Sequence, residues 1–185
     1  MRLQPHRCRY WLNPNKDSEA EFVAQVNEVC DLYESAEELL AQNIHLISTD
    51  EMTGIQALER LNRKKLAQPG DVEKQEFEYI RHGTQTLIAN WHVAEGKLIK
   101  PTIKATRTEE DFSQHIRETI EIDPEAGWIF VLDQLNIHRS ESLVKLVAQL
   151  CSIKGDVGEK GKKGILKSMS SRAEFLGDKS HRIRL

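Results

Sequence analysis

The sequence predicts an α/β fold, a mixed sheet with helices on both faces. Three observations carry that prediction. Trp128-Ile129-Phe130-Val131-Leu132-Asp133 is an apolar run with no period-two alternation, as expected of a strand covered on both faces. Two β-rich runs, Thr84–Val93 and Lys97–Ile103, flank Glu95-Gly96 and predict a hairpin. The element order is helix, strand, hairpin, helix, strand, helix and an incipient strand at His181–Leu185, so an antiparallel group precedes β-α-β crossovers.

Residues 1–16 carry Arg2, Arg7 and Arg9 without an acid and read as an extended basic lead-in. Residues 17–42 read as N-terminal helices, and 43–185 as the α/β domain. The first helix is capped at Asp17 or Ser18, and Phe22, Val26, Val29, Cys30 and Tyr33 fall on one apolar stripe. A second short helix is expected from Ser35 to Gln42. Ile44 to Asp50 is a β-rich run ending in an acid. Residues 62–76 are polar around Pro69-Gly70-Asp71 and read as a surface loop. Thr108 opens a helix through about Ile122, with Glu109, Glu110 and Asp111 at its positive end. Ser140 caps the next helix, whose Leu143, Leu146, Val147 and Leu150 point inward. Residues 154–172 form a basic loop rich in Gly, Lys and Ser.

The chain has 185 residues, enough for one domain with a real core. It contains no bilayer-length apolar run and no secretory signal at its first residues. Cys8, Cys30 and Cys151 share no metal-type spacing, which fits a reducing cytosol with Cys30 and Cys151 as small core residues. The net charge is −3, yet Lys154–Leu185 holds nine basic against four acidic residues, a local +5 that leaves −8 for the remainder. A basic tail on an acidic body points to a polyanion contact on one side.

Two acids, Asp50 and Asp133, end apolar strands. In an α/β sheet, ligands bind at the carboxyl ends of the strands. If the two strands are neighbours, the carboxylates repel unless a hard cation lies between them, which points to Mg²⁺ or Mn²⁺ and phosphoryl transfer. Either acid alone is more readily a turn-starting or helix-capping residue.

At these residues the sequence resembles a known family. Ser48-Thr49-Asp50-Glu51-Met52-Thr53-Gly54-Ile55-Gln56-Ala57-Leu58-Glu59-Arg60 is similar to the first catalytic block of mariner-like DDE transposases of bacterial insertion sequences. Phe77 to Thr84 and Trp128 to His138 resemble further blocks, with Asp133-Gln134-Leu135-Asn136-Ile137-His138 matching the second-aspartate motif. The likeness runs from about Pro5 to the last residue. It implies a ribonuclease-H-like fold, a two-metal site with Mg²⁺ or Mn²⁺, cleavage of double-stranded DNA at element ends, and strand transfer by the freed 3′-hydroxyl. It also implies a homo-oligomer when complete, a bacterial cytoplasmic location on nucleoid DNA, and neither membrane nor small-molecule substrate. Asp50 and Asp133 would be the first two metal-binding and catalytic carboxylates, with Asn136 and His138 beside the metals or the scissile phosphate. His138 reads equally as a helix-capping or packing residue.

The chain also departs from the family pattern. The family's third carboxylate lies on a helix after the strand that begins near His181, so the last strand and helix are expected to be missing. That absence predicts an apolar flank left open on the Trp128–Leu132 strand, and a core inactive by itself. Glu174 precedes the strand and is not expected to substitute. The family's DNA-reading helix-turn-helix modules would precede Leu3, and Met52 stands where relatives commonly carry lysine. Glu51 should point away from Asp50 by strand alternation and stay out of the metal's ligand set. Lys160, Lys162, Lys163 and Lys167 are candidates for DNA-backbone contact, or else a solvated loop. Trp91, Trp128 and Tyr79 are read as core, and His45, His92 and His115 as structural. Two rivals remain: a non-catalytic transposase remnant that folds, binds DNA or pairs with a full-length enzyme, and a metal-free α/β module in which the aspartates only cap.

Overall fold

The computed structural model describes residues 19–133, 135–155, 157 and 171–185. The four candidate loop lysines, Lys160, Lys162, Lys163 and Lys167, lie outside them. The chain divides into two compact units, residues 1–35 and 36–185. In the first, α1 spans Glu19–Glu34 with Glu19 and Glu21 in its opening turn. None of its residues is buried, and Cys30 is exposed rather than a core residue as the sequence suggested. Val26, Val29 and Tyr33 of the expected apolar stripe are exposed too.

The second unit is built on one five-stranded sheet. After α2 (Ala36–Ala41) come β1 (Ile44–Arg60), β2 (Tyr79–His92), β3 (Lys97–Lys104), α3 (Glu109–Ile120) and β4 (Gly127–Val131). A 3-10 turn (Asn136–Arg139), α4 (Glu141–Leu150), α5 (Arg172–Leu176) and β5 (Ile183–Arg184) follow. The strand order is β3-β2-β1-β4-β5. β1, β2 and β3 pair antiparallel, whereas β4 runs parallel to β1 and β5 parallel to β4. This is the predicted mixed sheet, with the ribonuclease-H-like arrangement of an antiparallel hairpin group joined to parallel strands.

Strand alternation sorts the core. Ile47, Trp128 and Phe130 pack with Phe112, Ile116 and Ile120 of α3 and with Leu143, Leu146 and Val147 of α4. Residues of the opposite parity, Leu46 and Ile129, are buried as well, so β1 and β4 are covered on both faces. β5 pairs with Trp128 and Ile129, and Ile183 is fully buried, so the flank expected to stand open is covered over those positions. Trp91 and Tyr79 do not join the core as expected; both are more than 40% exposed. Cys151, also expected inside, is only partly buried at the end of α4.

β1 is longer than the Ile44–Asp50 run suggests. Beyond Asp50 it continues to Arg60 against β2, with register shifts after Met52 and Gln56; Met52 and Leu58 on β1 and Tyr79 on β2 face solvent. Backbone pairing and the cross-strand Glu59–His82 contact hold this two-stranded arm, so it carries little of the apolar signal by which strands are read from sequence.

A capping box starts α3. The Thr108 hydroxyl accepts from the Asp111 amide at 3.2 Å and the Asp111 carboxylate accepts from the Thr108 amide at 3.1 Å. Lys104, then Thr106 and Thr108, hold the Asp111 carboxyl well below the usual carboxylate range. Thr108→Ala is expected to lower stability by about 1 kcal/mol, read from the urea midpoint at unchanged m-value.

His115 lies inside the same layer, its Nδ1 2.7 Å from the Thr102 hydroxyl. Burial pushes its pKa down from 6.5 to about 4. The unfolded chain therefore takes up this proton first as pH falls. The stability tied to neutral His115 is present above about pH 6.5 and is lost progressively toward pH 4, a total on the order of 3 kcal/mol. His115→Gln should flatten that part of the profile in urea titrations run between those pH values. Unchanged curvature would contradict the assignment.

Candidate active site

The parallel register between β1 and β4 aligns Ile44 with Gly127 and runs on to Ser48 with Val131. Asp50 follows two residues after the last paired position, within the longer β1, and Asp133 follows two residues after the end of β4. Both acids are exposed, as they must be to meet a ligand in solution. The Asp50 Oδ1 accepts the Glu51 amide at 2.8 Å. The Asp133 Oδ1 accepts the Leu135 amide at 3.1 Å and stands 2.8 Å from His138 Nδ1. Of the two carboxylates named from sequence, Asp50 lies on β1 and Asp133 in the turn just after the neighbouring β4.

His138 closes the turn after β4. Its side chain is 3% exposed, and its ring lies 4.3 Å from that of Phe112 on α3. Nδ1 faces Asp133, and Nε2 stands 3.3 Å from the Glu51 Oε1. It is therefore packed against α3, as one sequence reading had it, and it contacts Asp133 and Glu51. Asn136 is exposed at the start of the same turn. Ser140 ends the turn, and its hydroxyl accepts the Leu143 amide, which fixes where α4 begins.

Glu51 is the feature that sequence reasoning undervalued. It points away from Asp50, as alternation predicts, but it does not reach solvent: its side chain is 2% exposed. Oε2 accepts from Arg107 Nη1 at 3.0 Å, and Oε1 faces His138. Alternation itself held the missing signal. A carboxylate on the helix-covered face of a central strand demands partners, and Arg107 just before α3 and His138 are within reach.

Behind these groups a buried polar tie joins the sheet to α3. Asn90 on β2 is fully buried; it accepts from the Thr49 hydroxyl at 2.6 Å and donates to the Thr119 hydroxyl at 2.7 Å. Thr49 precedes Asp50, so this tie holds the backbone that carries the first aspartate. Glu174, set aside from sequence, sits exposed on α5, where its amide donates to Ser171. His45 and His92 stand 2.8 Å apart near the start of β1 and the end of β2, remote from the strand ends that carry the aspartates. Among the described residues no three His, Cys, Asp or Glu side chains are grouped to hold a metal ion. No helix among them is long and apolar enough to cross a membrane.

The family model for the DDE superfamily endonuclease matches residues 45–155. The chain belongs to the DDE superfamily endonucleases. The match takes in both Asp50 and Asp133 of this DDE endonuclease domain, together with Glu51, Arg107 and His138. No curated protein matches the chain. Among solved structures, the domain is similar to the Mos1 transposase paired-end complex with left transposon end, at 17% identity and TM-score 0.45, over 80% of this chain and 45% of that one. It is also similar to the Mos1 mariner paired end complex with Mn, at 16% identity and TM-score 0.43, over 78% of this chain and 44% of that one. The chain therefore spans less than half the length of these solved relatives.

Proposed function

We propose that this DDE endonuclease domain is the catalytic core of a DNA transposase, acting on double-stranded DNA at the ends of a bacterial insertion sequence. The observation that carries the reading is the DDE family match, which takes in Asp50 on β1 and Asp133 just after the parallel neighbour β4. The donor set suits Mg²⁺ or Mn²⁺: both groups are exposed carboxylates, the oxygen ligands hard divalent ions prefer. Two like charges at neighbouring strand ends also gain by a cation between them. Asp50 and Asp133 would hold it. Bound there, the ion would neutralise charge developing on a scissile phosphate and ease ionisation of the attacking oxygen.

The chain's own residues do the rest. His138 and the Leu135 amide fix the Asp133 carboxylate, and Asn136 offers an exposed amide to a phosphate beside it. Lys160, Lys162, Lys163 and Lys167 would neutralise the DNA backbone, a contact that needs mobile cations and no fixed geometry. The complete enzyme carries two metal ions and works as a homo-oligomer in the cytoplasm, with no small-molecule substrate. On this reading a third carboxylate completes the site, and the chain without it is inactive by itself. The second reading is a non-catalytic remnant that folds, binds DNA or pairs with a full-length transposase.

The test is nicking of DNA carrying the parent element's end, in Mg²⁺ or Mn²⁺, by this chain and by a version extended through the family's third-carboxylate helix. Cutting by the extended version alone supports a core that needs the third ligand. Cutting by neither supports the remnant. Metal-dependent cutting by the short chain would show that a third ligand lies within it and would make Glu174 the first residue to replace.

A further inference from the structure

We infer that Glu51 is a positioning residue for the metal-binding carboxylate of Asp133, acting through His138, with Arg107 holding the far oxygen of Glu51. The inference rests on the proposed role of Asp133 and goes beyond it to a residue that contributes no ligand.

The geometry runs in one line. Arg107 Nη1 donates to Glu51 Oε2 at 3.0 Å; Glu51 Oε1 stands 3.3 Å from His138 Nε2; His138 Nδ1 stands 2.8 Å from Asp133 Oδ1. Burial changes along it. Glu51 and His138 are 2% and 3% exposed in their side chains, whereas Asp133 is 56% exposed. The buried members are enclosed by the fold and the terminal one meets solvent. An exposed aspartate ordinarily samples several rotamers. Here Oδ1 lies 2.8 Å from His138 Nδ1, which also stands 3.2 Å from the Asp133 carbonyl, while Phe112 packs 4.3 Å from the ring and Glu51 faces its other nitrogen. The second Asp133 oxygen stays available for a cation. Ligands oriented in this way by a hydrogen-bonded neighbour bind metal more tightly, because less ordering is left to the binding event. Both Glu51 oxygens are engaged by protein groups, which is why it acts behind the site and not in the ligand set.

A purely structural role for Glu51 would show in stability and leave metal affinity alone, so the experiment reads both. Mn²⁺ binding to the whole 185-residue chain is measured by the loss of the free-ion electron paramagnetic resonance signal, with thermal melting of each protein followed by circular dichroism. Glu51→Gln should weaken Mn²⁺ binding by about tenfold to a hundredfold. His138→Asn keeps a donor near Asp133 but cannot reach Glu51, so adding Glu51→Gln to it should weaken Mn²⁺ no further. Unchanged affinity in Glu51→Gln, alongside binding abolished by Asp133→Ala, would overturn the inference and leave the proposed site standing. An equal loss from Glu51→Gln in both backgrounds would make Glu51 a direct ligand and overturn it too. If neither Asp50→Ala nor Asp133→Ala alters Mn²⁺ binding, the site itself fails and the inference with it. Should Glu51→Gln not fold, Arg107→Gln, at a half-exposed side chain, takes its place: a weaker Mn²⁺ affinity with unchanged melting supports the line, and an unchanged affinity overturns it.

Discussion

Asp50→Asn or Asp133→Asn should cut the nicking rate of the extended, three-carboxylate version by at least about a thousandfold, while each protein still folds. The rate loss follows from the chemistry assigned to the pair. Each amide removes one negative ligand from a hard cation, and groups that stabilise transition-state charge are individually worth on the order of 10²–10³-fold. Folding should survive because Asp50 and Asp133 are exposed and lie outside the core. Replacing an exposed group away from the packing commonly changes stability by no more than about 0.5 kcal/mol. The Asp133 variant should lose slightly more than the Asp50 variant, since its carboxylate also accepts the Leu135 amide and faces His138. Rates are read from supercoiled plasmid carrying the element end, and stability from urea titration of the same preparations. A variant that cuts at the original rate would remove that aspartate from the site.

The largest stability effect is expected at Trp128. It is 1% exposed, stacks on His45 and Phe130, donates its indole N–H to the Asp123 carbonyl at 3.0 Å, and pairs across the sheet with both His45 and Ile183. Trp128→Ala removes the largest buried side chain at the junction of three strands and leaves a carbonyl without its donor. The expected cost is about 3–5 kcal/mol, a large share of the roughly 5–15 kcal/mol that holds a domain of this kind together. Trp91→Ala is the control. Trp91 is 44% exposed on β2, so its loss should cost less than about 1 kcal/mol in the same urea titration. Similar midpoints for the two variants would contradict the placement of β4 inside the sheet.

Much of this architecture is legible in particular residues. Trp128–Val131 announces a strand buried on both faces because it lacks alternation, and the structure puts it between β1 and β5. Thr108 and Ser140 announce helix starts because short polar side chains can satisfy first-turn amides, and both do. Asp50 and Asp133 stand out because each ends an apolar run. The outer half of the β1–β2 arm was not legible. Its pairing is mostly backbone to backbone, its side chains are largely exposed, and sequence of that kind does not announce a strand. Trp91 and Tyr79 misled in the other direction, since an aromatic residue in a strand does not say which face of the strand is covered. Strand alternation puts Glu51 on the face of β1 opposite Asp50, but alternation does not name the partners on that face. Its importance comes from Arg107 and His138, fifty-six and eighty-seven residues away, a proximity that only the closed fold creates.

A divalent cation held between Asp50 and Asp133 would reveal itself through paramagnetic broadening by Mn²⁺ in the ¹⁵N–¹H spectrum of the full chain. Trace Mn²⁺ should erase the amide signals of residues 48–51 and 131–138 first, and excess Mg²⁺ should restore them. Broadening centred on another acidic surface such as the first turn of α1, with the amides around Asp50 and Asp133 left sharp, would contradict the claim.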